Sequence, residues 1–110
     1  MNVPVVLMLT TLPDAESANA LAQGILEARL AACVTKLGAV ESHYHWKDAV
    51  ESSQEVQVLI KTSVARVDEL QQFVAQRHPY ETPEILVWQA EASSRYGQWV
   101  NAETQRRIHV

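Results

Sequence analysis

The chain has one cysteine, Cys33, among 110 residues, so no disulfide can close within it. That excludes the disulfide-stapled class of small secreted domains and suits a reducing compartment. Glycine and proline are scarce as well, at three and four residues. Collagen-like, low-complexity and linker-rich chains are thereby excluded. Nine basic residues stand against thirteen acidic ones, a formal net charge of -4, and no basic run exceeds Arg106-Arg107. A nucleic-acid footprint needs clustered positive charge, so that class of partner drops out. No apolar run is long enough to cross a bilayer. The stretch from Val3 to Leu9 is interrupted by Pro4, meets Thr10-Thr11, and lacks the basic flank of a signal peptide. We therefore expect a cytoplasmic protein with no membrane partner. What is present is an ordinary globular balance, 47% apolar and 20% charged, read as a single domain over residues 1–110. A core of this size gains from oligomer formation.

The apolar pattern predicts the elements. Val5 to Leu9 is apolar on both faces and reads as a buried strand. Pro13 breaks it, Asp14 is a good N-cap, and Ala18, Leu21, Ala22, Ile25, Leu26 and Arg29 follow the spacing of one helix face, weakened but not ended by Gly24. A second strand starts at Ala32-Cys33-Val34-Thr35 and continues, with a break at Gly38, to Trp46. Lys47-Asp48 falls where a hairpin turn belongs. Glu55 to Thr62 alternates, with Val56, Val58 and Ile60 on one face. Ser63 is positioned to cap a second helix through Val67, Leu70, Phe73 and Val74, stopped by His78-Pro79. Ile85 to Trp88 is a fourth strand. Ser93 or Ser94 then caps a short helix whose Tyr96, Trp99 and Val100 should face inward. The order is β-α-β-β-α-β plus a C-terminal helix: an α/β (α+β) ferredoxin-like sandwich with an antiparallel sheet. Right-handed crossovers put both main helices on one sheet face. The other face needs a cover, which we expect from another subunit.

Fold alone does not give function. Strand Glu55–Thr62 has none of the aromatics on which RNA-binding sheets stack bases. The loop Thr10-Thr11-Leu12-Pro13-Asp14 has neither Gly nor Arg, and Asp14 repels phosphate. Cys33 sits in an Ala-Ala-Cys-Val context and is expected to be buried and inert. His43 and His45 share a strand face and can start a metal site, although a firm site needs three or four ligands. Their bland alternative is a solvated strand end. His78 precedes a rigid Pro-Tyr turn and is either a ligand or a partner of a backbone carbonyl at the helix end. His109 lies at the terminus and is expected to be mobile.

Six spaced motifs in order make the chain resemble the CutA family of divalent-cation tolerance proteins. They are Thr11-x-Pro13-Asp14, Arg29-Leu30-Ala31-Ala32-Cys33-Val34, Ser42-x-Tyr44-x-Trp46, Glu55 with Ile60-Lys61-Thr62, His78-Pro79-Tyr80-x-x-Pro83-Glu84-Ile85, and Trp99. The resemblance implies a homotrimer of ferredoxin-like units, a cytoplasmic location, no enzymatic activity, and a link to copper and other divalent metal ions. Copper in this family is associated with a first-strand Cys and a His-His pair before Pro-Tyr. Here those positions are Leu9, Arg77 and His78, so only His78 matches, and weak binding of Cu(II) or another divalent cation is expected. An alternative is a PII-like small-molecule or signalling module. Trimers of this fold place clefts between subunits, and Lys61, His78, Tyr80 and Glu84 are candidates to line one.

Overall fold

The computed structural model describes residues 1–106. Arg107 and the expectation for His109 lie outside them. The elements are β1 (Val3–Leu12), α1 (Ala15–Glu27), β2 (Cys33–Trp46), β3 (Ala49–Thr62), a 3-10 turn at Val64–Arg66, α2 (Val67–Arg77), β4 (Leu86–Ala92) and α3 (Ser94–Glu103). The four strands form one antiparallel sheet in the order β2-β3-β1-β4, the expected ferredoxin-like architecture with its extra helix.

Local chemistry sets the boundaries. Asp14 is extended and accepts the Ser17 N–H at 2.8 Å, capping α1 as expected. Arg29 ends the α1 turn with φ 58°, and its Nη1 donates to Glu103 Oε2 at 2.9 Å, tying the end of α1 to the end of α3. The break foreseen at Gly38 is a β-bulge between Lys36 and Gly38, which leaves Leu37 exposed while the strand continues. Lys47 and Asp48 both take positive φ, 50° and 66°, the geometry of the tight hairpin turns whose twist matches that of the strands.

Strand alternation divides the core. Met8, Leu12, Val58 and Ile60 face the helices and pack with Ala18, Leu21, Ile25, Leu70 and Val74. Gly24 lets the Phe73 ring approach α1 closely. On the opposite face, α3 covers the start of β1, where Val5, Ala92 and Val100 form a smaller cluster. Gly97 is required there, because a Cβ at that position would lie 2.5 Å from Val3 Cβ. The rest of that face has no cover among the described residues. The register sets Leu7 beside Trp88, and Leu9 between Leu59 and Leu86. Leu86 and Trp88 are exposed and the other three half-buried.

The structure corrects six expectations. Strand β1 is longer than Val5–Leu9, and β4 runs on to Ala92. Strand β3 begins at Ala49 instead of Glu55, so β2 and β3 project as a long two-stranded arm. Ser63 makes no side-chain capping bond to the helix, which follows the 3-10 turn; its hydroxyl instead accepts from Thr104 Oγ1 at 2.8 Å. Tyr96 and Trp99 are exposed, their rings tilted against each other at 5.6 Å, while Gly97 and Val100 are the buried residues of α3 and Thr104 is buried at its C-cap. Cys33 is half-buried, with its Sγ 3.9 Å from Lys61 Nζ and 3.6 Å from Thr35 Oγ1, not enclosed by apolar groups.

Candidate functional site

The segment behind α2 is fastened to the sheet by consecutive hydrogen bonds. His78 leaves the helix with extended backbone, as a residue before proline does, and its N–H closes the last turn on Val74 O at 2.9 Å. Its Nε2 lies 2.7 Å from Thr11 O. A carbonyl only accepts, so Nε2 carries the proton and Nδ1 is the acceptor for the Tyr80 N–H at 3.2 Å. This is a neutral imidazole with both nitrogens engaged. Burial holds its pKa below 6.5, against the opposing pull of the Thr11 hydrogen bond and the Glu55 charge. The Tyr80 ring tilts against it at 4.9 Å.

Tyr80 carries the chain one step further. Its hydroxyl donates to Glu55 Oε2 at 2.9 Å. Burial, then that carboxylate, hold the phenol well above its ordinary pKa. Glu55 itself is only 7% exposed, and among the described residues no Lys, Arg or His lies within ion-pair distance of it.

Glu55 lines a cleft of about 930 Å3 between the loop and the β2–β3 arm. The arm contributes His43, Tyr44, His45, Trp46 and Glu51. The loop contributes Tyr80, Glu81, Pro83 and Glu84. Among the described residues the lining holds four glutamates and no lysine or arginine, so its field is negative. Of the residues expected to share a cleft, Tyr80 and Glu84 are brought together. His78 sits behind them, and Lys61 is elsewhere, donating to Thr35 Oγ1 at 3.3 Å. His43 and His45, which sequence spacing placed on one face, line the cleft. Sequence reading missed Glu51, Glu55 and Glu81. Glu55 was marked only as part of a family motif and not as a cleft residue, because strand and loop meet only in the folded chain.

The metal question has a geometric answer at the family-associated positions. Leu9 offers no donor. The Arg77 guanidinium lies over the Phe73 ring at 4.2 Å. His78 has no free ring nitrogen. These residues do not fit a copper ion in that mode. On the arm, His43 Nε2 is 3.2 Å from Glu41 Oε1 and solvent-exposed. No group of three or more His, Cys, Asp or Glu side chains converges as a metal cage among the described residues.

Comparison with known proteins agrees with this architecture. Residues 6–103 match the model of the family described as CutA1 divalent ion tolerance protein. The chain is 44% identical over 98 residues to the divalent-cation tolerance protein CutA of Pectobacterium atrosepticum, covering 88% of this chain and 89% of that one. Among solved structures it is similar to CutA from Synechococcus elongatus, with TM-score 0.89, 37% identity, and 96% and 95% of the two chains covered. CutA from Xylella fastidiosa superposes with TM-score 0.88 at 36% identity, covering 92% and 98%.

Proposed function

Because the chain belongs to the CutA1 divalent ion tolerance family, we propose that it works as a cytoplasmic homotrimer contributing to metal-ion tolerance through weak contact with divalent cations, Cu(II) among them. Like the family it belongs to, it is not an enzyme. The observation that carries the metal reading is the pair His43 and His45 on the wall of a cleft that also holds four carboxylates. Imidazole suits Cu(II) and Zn(II), and a negative field concentrates any cation. Two imidazoles without a third donor in place give low affinity.

The assembly reading is supported by the uncovered apolar face around Leu7, Leu9, Leu59, Leu86 and Trp88, and by exposed Tyr44 and Trp46 on the arm. Contiguous apolar surface of this kind, rich in aromatics, is suited to a subunit interface.

Calorimetric titration with Cu(II) and Zn(II) tests the metal reading. Binding should be weak, and the double change His43→Ala/His45→Ala should remove it while His78→Ala leaves it in place. Tight binding at one equivalent per chain, or loss confined to His78→Ala, refutes this assignment.

A further inference from the structure

We propose that residues 79–85 are a strap governed by one proton: His78 holds the strap shut as a neutral ring and lets it open as an imidazolium. This goes beyond divalent-cation tolerance and rests on no metal.

The first observation is how little else fastens the strap. Residues 79–85 run between α2 and β4, and among the described residues none of them enters a backbone-to-backbone hydrogen bond. The far end is anchored by Ile85, which packs against the core. The near end has two polar ties, both made by Tyr80: its N–H to His78 Nδ1 at 3.2 Å and its hydroxyl to Glu55 Oε2 at 2.9 Å. One titratable acceptor therefore carries the only backbone N–H tie.

The second observation is that the two ring nitrogens serve two different elements. Nε2 donates to Thr11 O of β1 at 2.7 Å, and an imidazolium keeps that bond. Nδ1 faces the Tyr80 N–H, so a proton placed there sets donor against donor. The protonated ring stays on the sheet and rejects the loop. The bonds lie within one chain, where His78 is already buried.

The surrounding charges act on the same two ties. Glu55 from β3 is the charge that favours the cation, and it is also the acceptor of the Tyr80 hydroxyl. A positive ring draws that carboxylate away from the phenol and loosens the second tie. Arg77 on α2 has its guanidinium over the Phe73 ring, and Asp14 beyond β1 is engaged with the Ser17 N–H. Tyr44 of β2, with Glu81 and Glu84 of the strap, lines the cleft beside Tyr80. Burial opposes the cation and places the change below pH 6.5.

Nuclear magnetic resonance of the assembled, isotope-labelled wild-type protein reads ring and loop together as pH is lowered from neutrality. The Tyr80 amide shift should titrate with the His78 ring. Hydrogen exchange at Tyr80, corrected for its intrinsic pH dependence, should lose about tenfold in protection, the scale of one hydrogen bond. Amides of β1, β3 and α2 should keep theirs. His78→Asn sets a carbonyl that does not titrate near the Nδ1 position, so Tyr80 should stay protected and lose its pH response. If that variant misfolds, the wild-type titration decides alone. The proposal is overturned if Tyr80 keeps its protection once the ring is protonated, as expected where a second copy clamps the loop. It is equally overturned if β1 and α2 open together with Tyr80, if the ring takes no proton before the protein unfolds, or if His78→Asn retains the wild-type pH response.

Discussion

Tyr80 and Glu55 stand 25 positions apart in sequence and are joined by a 2.9 Å hydrogen bond, phenol to carboxylate, that locks the loop behind α2 onto β3. Together with the His78 contacts to Thr11 and Tyr80, this bond fixes one wall of the cleft. Removing the hydroxyl leaves a buried carboxylate without its donor. Tyr80→Phe should therefore lower stability by about 1–3 kcal/mol, the cost of an unsatisfied buried polar group, read from urea denaturation at pH 7. An unchanged midpoint would mean that water replaces the phenol freely.

His78 makes stability depend on pH in a defined direction. Its pKa in the folded protein lies below 6.5, chiefly because of burial. Between those two values the unfolded chain binds more protons than the folded one, so stability rises with pH there. The contribution is complete above pH 6.5 and is lost as pH falls through the folded value. Protonation also removes the Nδ1 acceptor of the Tyr80 N–H. Denaturation midpoints should fall from pH 7 to pH 5 in wild type, with a shallower slope in His78→Gln. Parallel slopes would show that other groups dominate.

Gly97→Ala should be destabilising by about 1–3 kcal/mol through overpacking. The new Cβ would lie 2.5 Å from Val3 Cβ, and a strand-held β-branched residue cannot swing away. Val3→Ala should relieve only part of this, since the nearest atom remains. Gly24→Ala is the contrast. Its Cβ would meet the far end of the Phe73 ring at 3.2 Å, and a helix gain of about 1 kcal/mol offsets the crowding, so thermal melts should change little.

Light scattering at micromolar concentration should report about three chain masses, as closed cyclic assembly implies. Trp46→Ala and Trp88→Ala should each shift the assembly toward smaller species if these exposed rings anchor the interface. A folded monomer of the wild-type chain at that concentration would sink the assembly reading.

The helices were the legible part of this sequence. Ala18, Leu21 and Ile25, and then Leu70 and Val74, announced their faces by spacing, and those residues are buried. The arm was not legible over residues 49–54, because a ribbon exposed on both sides has no apolar alternation to betray it. Tyr96 and Trp99 misled for a different reason. Ring size suggested burial, but the contact of α3 with β1 is decided by the missing side chain of Gly97. Cys33 misled through its neighbours: Ala31 is buried, yet the thiol two residues on stands beside Lys61. The cleft was half legible. His43, His45, Tyr80 and Glu84 were marked in advance, whereas Glu51 and Glu55 join them only when the arm and loop meet.

The strand order also dictates a sequence of events when the chain folds. β2 and β3 are linked by a two-residue turn and pair in register from Trp46 with Ala49 back to Cys33 with Lys61, so their ladder closes with little loop entropy. β4 must reach β1 from the other end of the chain, where Val3 meets Ala92. Contacts that distant in sequence form slowly and are held by fewer neighbours at the edge of a sheet. Amide exchange should accordingly divide the sheet, with β4 opening while the paired centre of β3 and β1 remains protected. Because α3 follows directly on β4, its escape would uncover Val5 and the start of β1.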